Sequence, residues 1–549
     1  MTNMFPSGRR SFLKSIAALT GSLAPSRAEV ARASASAVGP MFARRHTALE
    51  IRRQAAEFQA RQPAATSFGN GDETNLPGYV ASFTKGLPHD QAGNVDSTAY
   101  QSLLKALHTG AHGDFEKIRR GSGMKLLDPQ AAFAYDLVGQ DSNCFHCAPA
   151  PAFSSAEAAA EMVELYWHSL ARDVPFSQYE TSPVIRNAAE DLSRLSDFRG
   201  PKNAGMVPAS HVFRCDAPGC LPGPYISQFL WKRIPLNSTW IEQKYRAPSP
   251  GIDYLTSIPE WLILQSGLPP FRNPSFEAAP KYLSSGRALA EWVHYDFLYQ
   301  AFHNAALILL NQAPETILDT NSCWSPSNPY KNSKVQTGFA TFGAPHVCAW
   351  LGQVTTSALQ ASWYQKWRVH RRLRPEEFGG RVHQTMTKAA TYKFADELSR
   401  SEGLARTFAA HGAYLLPQSY PEGCPLHPAY PAGHATVAGA CSALLKAFFD
   451  ETALLTNCVA ASADGHTLEP YNGALTIGGE LNKLAANICM GRNFAGIHYR
   501  SDATAGLRLG EEVAVAMLQD LVNTLTEDFP GFSFARLDGT PVFIARRGV

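Results

Sequence analysis

The sequence predicts a mainly α-helical protein that ends in a small β-hairpin. Three observations carry this. Apolar residues recur at helical spacing at Val437, Ala440, Cys441, Leu444 and Phe448, and again at Leu481, Leu484, Ala485 and Ile488. The 549 residues are 45% apolar and include 30 Phe, 19 Tyr and 9 Trp, enough for a large core. Strand-like alternation enters only near the end, from Phe532 to Ile544, where Asp538-Gly539 marks a hairpin turn.

Taken in order, the chain opens with Gly8-Arg9-Arg10-Ser11-Phe12-Leu13-Lys14, a short apolar run to Ala24, and an Ala35-Ser36-Ala37 site. A charged start, a brief apolar middle and an Ala-x-Ala end describe a secretory signal over 1–37, with paired arginines of the twin-arginine type. Export to a periplasmic or extracellular compartment follows as an expectation, leaving 38–549 as one large domain. The ten cysteines are then read in an oxidising setting. The close pairs Cys144/Cys147 and Cys215/Cys220 are expected in disulfides rather than in a zinc site, with connectivity open.

Ala43 to Gln62 reads as an exposed charged helix, and Ser155 to Arg172 reads as a helix. Gly200 to Pro280, rich in Pro and Gly, reads as long loops over the helices. Gly286 to Gln312 reads as one continuous, nearly all-apolar central helix. Val335 to Gln365 contains no Lys, Arg, Asp or Glu, yet its Gln, His and Pro residues are too polar for a lipid span, so it is assigned to the protein interior. Lys+Arg 49 against Asp+Glu 47 leaves +2, which excludes a global field for nucleic acid or an anionic membrane. The charged fraction of 17% is low for a soluble chain and points to surface buried in the core or between subunits.

Three segments suggest an anion site. Trp363-Tyr-Gln-Lys366-Trp-Arg368-Val-His-Arg371-Arg372-Leu-Arg374-Pro375 reads as a basic helix that Pro375 ends. Lys366 and Arg374 are its candidate anion contacts; Arg368, Arg371 and Arg372 are assigned to a solvated face. His427-Pro-Ala-Tyr-Pro431-Ala432-Gly433-His434 runs into the Val437 helix, whose first free N–H groups and positive dipole end make a cradle for an anion. Gly491-Arg492-Asn-Phe-Ala-Gly-Ile-His498-Tyr-Arg-Ser-Asp502 adds a third cation. Its histidine and carboxylate are read as sharing a face of a new helix, with Asp502 either orienting His498 or pairing with Arg492. Three cations, backbone donors and two imidazoles suit a highly charged tetrahedral oxide.

This combination, Lys…Arg-Pro, then Pro-(Ser/Ala)-Gly-His, then Arg-x5-His-x3-Asp, resembles the signature shared by vanadium-dependent haloperoxidases and related acid phosphatases. The separation of eight from Lys366 to Arg374, and His427 seven before His434, are similar to the algal and cyanobacterial bromoperoxidases. The resemblance implies a helical-bundle haloperoxidase fold, with long loops, a vanadate-binding core over about 286–521 and the terminal hairpin. It implies that Lys366, Arg374, Arg492 and the Gly433 N–H bind the oxygens of vanadate, with His498 as the axial vanadium ligand. His434 becomes the acid/base for hydrogen peroxide, and His427 and Trp363 shape the halide side. Bromide or iodide would be oxidised to a hypohalous-acid equivalent that halogenates small organic acceptors, in a homo-oligomer.

Two positions depart from relatives. Ala432 stands where many haloperoxidases have Ser, losing one hydroxyl donor to the oxide, and Gly491 stands where phosphatases have Ser. The alternative reading is an acid phosphatase using a phosphohistidine on His498. A third is a non-catalytic oxyanion-binding protein.

Overall fold

The computed structural model describes residues 41–63, 65–312 and 323–546. The expected leader at 1–37 lies outside them. The chain divides at Gln62 into two units. In the first, Met41–Ala60 forms the expected charged helix.

In the second unit, eight helices matter for the site: α1 (Ala156–Leu170), α2 (Gly286–Trp292), α3 (Gln300–Gln312), α4 (Ala344–Tyr364), α5 (Pro375–Met386), α6 (Gly433–Phe448), α7 (Ile477–Phe494) and α8 (Arg500–Val522). Helix α6 lies at the centre, packed on α4, α7 and α8, and every residue in it but His434 is buried. The face foreseen from Val437 and Leu444 is therefore part of a wholly enclosed helix, and each such side chain contributes about 1.5–3 kcal/mol by leaving water. Helices α6 and α8 cross at glycine. A methyl group built on Gly510 would stand 1.9 Å from the Thr436 carbonyl oxygen, so only glycine permits the approach.

Among the described residues the strands form three antiparallel hairpins: β1 (Ile234–Leu236) with β2 (Thr239–Ile241), β3 (Val459–Ala461) with β4 (Leu468–Pro470), and β5 (Phe532–Ala535) with β6 (Pro541–Ile544). The last is the expected one, with Phe532 opposite Ile544. The other two have only three residues per strand, too short to show alternation in sequence. None of the described helices is long and apolar enough to cross a membrane.

Four expectations change. The single central helix over Gly286–Gln312 is broken into α2 and α3, because Val293 to Tyr299 leaves the helix to make polar contacts described below. Pro375 does not end the basic helix. Helix α4 runs on through a π-helical turn, Gln365–His370, and Arg371 (φ 38°) closes it, whereas Pro375 is the first residue of α5 with Arg374 as its N-cap. The uncharged stretch from Val335 is only partly interior: Leu351, Val354 and Ala358 are buried, but Pro345, Ala349, Gln353 and Thr356 face outward, and Val335 is 88% exposed. Of the two cysteine pairs, Cys215–Cys220 is a disulfide and Cys144 and Cys147 are free thiols. Phe145 leaves the Ser142–Cys144 turn in an extended conformation and is buried with Cys147, while the Cys144 thiol rests 3.1 Å from Asn143 Oδ1. No group of three or more His, Cys, Asp or Glu suited to a metal ion occurs among the described residues.

Candidate anion site

The π turn after α4 directs Lys366 inward, where it is fully buried and donates to the carbonyls of Pro428 and Ala429, each at 2.8 Å. These carbonyls belong to the segment leading into α6, so the lysine ties the first segment to the second. Arg374, also fully buried, reaches both remaining parts. Its Nε donates to His427 O (2.8 Å) and its Nη1 to Ile497 O (2.8 Å), with Nη1 also 3.1 Å from His498 Nε2 and Nη2 3.0 Å from the His427 ring. Arg492, near the end of α7, donates from Nη1 to Val293 O (2.7 Å). Its Nε–H is buried without a hydrogen-bond partner among the described residues. Gly491 has a local reason. A Cβ there would fall 2.9 Å from Leu289 O and 2.8 Å from Val293 Cγ2, so glycine lets Arg492 sit against the end of α2.

His498 precedes α8 rather than riding on it. Tyr499 is the N-cap and Asp502 the third residue of the helix, and Asp502 Oδ2 accepts from His498 Nδ1 (2.9 Å) and from the Tyr499 N–H (3.1 Å). Asp502 thus orients His498 and caps α8 together; its charge partner is Arg372 (2.8 Å), not Arg492. With Nδ1–H donated, Nε2 is the ring's free lone pair, facing Arg374.

Helix α6 begins at Gly433, with Ala432 as an N-cap that has no side-chain bond to offer. The Trp363 ring lies over this start, 3.1 Å from where a Gly433 Cβ would be, and 4.8 Å between centroids from the His427 ring. His434, in the first turn, pairs through Nε2 with Asp296 Oδ1 at 3.0 Å. The ten residues singled out in the sequence thus come from segments linked to one another by hydrogen bonds or direct packing.

Electrostatics define what the site can hold. Burial pushes the Lys366 amine well below its usual range, and the neighbouring Arg374 and Arg492 cations push it further, against Asp502. Burial and then Arg374 and Lys366 hold His427 and His498 well below ordinary histidine values. Burial also depresses Arg374. His434 is lowered by burial, with Asp296 pulling the other way. All of these groups are depressed first by burial, and at Lys366, His427 and His498 neighbouring cations add to it. A small anion would offset these cations and would satisfy the orphaned Arg492 donor, so the donor set fits a tetrahedral oxide.

The sequence reading missed Asp296, because it lies within the run taken as one helix. The available signal was His294-Tyr-Asp296, two ionisable side chains interrupting an apolar stretch. It also missed the burial of Arg372, which is 4% exposed and paired with Glu161 and Asp502, and the pairing of half-buried Arg371 with Glu73. Arg368 is exposed as expected and stacks on Phe133.

The family model described as the VCPO second helical-bundle domain matches residues 346–527. Vanadium-dependent bromoperoxidases are similar along nearly the whole chain. That of Corallina pilulifera is 32% identical, covering 91% of this chain and 98% of its own. That of Ascophyllum nodosum is 34% identical, covering 87% and 88%. The homohexameric structure of the second vanadate-dependent bromoperoxidase of Ascophyllum nodosum superposes with a TM-score of 0.86 at 29% identity, over 92% of this chain and 90% of that one. With the bundle, the cation cluster and relatives matched almost end to end, the chain belongs to the vanadium-dependent bromoperoxidase family.

Proposed function

We propose that the protein is a vanadate-dependent haloperoxidase that uses hydrogen peroxide to oxidise bromide or iodide. The observation that carries this is the buried convergence of Lys366, Arg374 and Arg492 around His498, with the uncapped start of α6 beside it. Lys366, Arg374, Arg492 and the Gly433 N–H would hold the oxygens of vanadate, and His498 Nε2 would be its protein ligand. Bound vanadate supplies a Lewis-acidic centre at which peroxide becomes electrophilic toward halide without a change in metal oxidation state.

The chain's own residues do the rest. Asp502 fixes the tautomer of His498 so that Nε2 is the donor. Asp296 does the same for His434, taking Nε2–H and leaving Nδ1 to accept a proton when peroxide enters. Fixed cations in a water-poor pocket stabilise the developing charge with little reorganisation. Trp363 and His427 form the wall assigned to halide. Overall, peroxide, halide and a proton give water and a hypohalous-acid equivalent, which halogenates small organic acceptors.

A homo-oligomer is the proposed assembly, supported by the homohexameric neighbour and the low charge content. Export through the twin-arginine-like leader, with 38–549 as the mature enzyme, is proposed from Gly8 to Ala37 alone. The acid-phosphatase alternative is not favoured by the relatives. Metal-stripped protein given orthovanadate, peroxide and bromide should brominate a phenol-type dye. No turnover with either bromide or iodide would overturn the proposal, and vanadate-inhibited phosphate release in its place would select the phosphatase.

A further inference from the structure

Behind His498 a row of charged groups continues away from the anion site. Asp502 Oδ1 accepts from Arg372 Nη1 at 2.8 Å, and Arg372 Nη2 donates to Glu161 Oε2 on α1 at 2.9 Å. The three side chains are 0%, 4% and 5% exposed, so neither water nor salt screens them. Arg372 is held on every side: Nη1 also donates to Ser501 Oγ (2.8 Å), and its guanidinium lies 3.8 Å from the Tyr499 ring centre. Glu161 Oε1 accepts the Ser501 N–H. The Arg372 carbonyl accepts the Ala429 N–H (3.0 Å), next to the carbonyls that hold Lys366.

Asp502 alone does not fix its own orientation. One oxygen serves His498 and the Tyr499 N–H, and the carboxylate plane is set by what grips the other. That grip is Arg372, and Arg372 is squared onto it by Glu161, whose two oxygens bridge the guanidinium and the first turn of α8.

We propose that Arg372 and Glu161 are positioning residues for the His498 imidazole: they hold the Asp502 carboxylate at the angle that aims His498 Nε2 into the anion site. This rests on the reading of His498 as the protein ligand of the bound oxide. Such outer partners of a ligand histidine govern metal affinity without touching the metal.

The test compares Glu161→Ala with Glu161→Gln. Both remove the same charge, so a difference between them reads the hydrogen bonds and not the field. Orthovanadate affinity of the metal-stripped, folded protein is measured by calorimetry. Glu161→Ala is expected to weaken binding about tenfold, whereas Glu161→Gln, whose single amide oxygen still accepts from Arg372 Nη2 while the Ser501 N–H loses its acceptor, is expected to weaken it by clearly less. Arg372→Lys keeps the charge but loses the fork, and is also expected to bind about tenfold more weakly; it carries the test if Glu161→Ala does not fold. Equal affinities for the two Glu161 variants, or a lowered melting temperature with unchanged affinity, overturn the proposal. Failure of the parent itself to bind orthovanadate overturns the underlying reading and this inference with it.

Discussion

Ala432→Ser returns a hydroxyl to the N-cap of α6, and its effect can be worked out from the backbone already present. Ala432 has φ −70° and ψ 125°, the extended conformation an N-cap serine adopts, and its N–H is already bonded to Asp502 O at 3.0 Å. The backbone already has the conformation the new side chain needs. Its oxygen is placed to accept the N–H of Ala435, the third residue of the helix, worth about 1 kcal/mol of stability. The hydroxyl hydrogen is then free to donate to a charged oxide, worth about 1.5–3 kcal/mol. At about 1.4 kcal/mol per tenfold, the dissociation constant for orthovanadate should fall roughly ten- to hundredfold. Calorimetric titration of the metal-stripped parent and variant measures this directly. An unchanged or weaker affinity in a variant that is folded would refute the placement of Ala432 against the oxide.

Two further outcomes follow from other parts of the structure. Asp296→Asn removes the charge that partly offsets the burial of His434; the imidazole then protonates only at lower pH, and the acid limb of kcat/KM for peroxide should move down, whereas an upward move contradicts the pairing. His168 is fully buried, stacked at 3.9 Å on Phe213, and pushed down by burial to about 4. Its neutral form belongs to the folded state and an unfolded histidine binds protons below about 6.5, so its stabilisation is complete above that pH and is lost as pH falls toward 4, by at most about 3 kcal/mol. His168→Phe should therefore flatten the fall of the urea midpoint between pH 7 and 4.5, and parallel curves for the two proteins would count against it.

What the sequence made legible was local. Lys366, Arg374, the Ala432-Gly433-His434 start and Arg492 stand at short, fixed spacings, and an anion needs those residue types whatever the rest of the chain does. The rule for a residue before proline also held, since Arg374 is extended (φ −79°, ψ 156°). That rule does not distinguish the end of one helix from the start of another, and the π turn at Gln365–His370 had already closed the first.

The parts that were hidden depend on partners far along the chain. Arg372 looked like one more cation on a wet face because Glu161 and Asp502 lie 211 and 130 residues away. Arg372 is held in the dry interior by two carboxylates that meet it there, and no spacing rule connects α1 to α8. The break between α2 and α3 has the same origin. Gly286 to Gln312 has the composition of one helix, and its propensity is overridden because Val293 gives its carbonyl to Arg492 and Asp296 gives its carboxylate to His434. Both departures from local preference put a charged or polar partner beside a site group. In this protein the helical rules therefore fail where the anion site imposes its own requirements, and a polar interruption such as His294-Tyr-Asp296 in an apolar helical run marks the place to look.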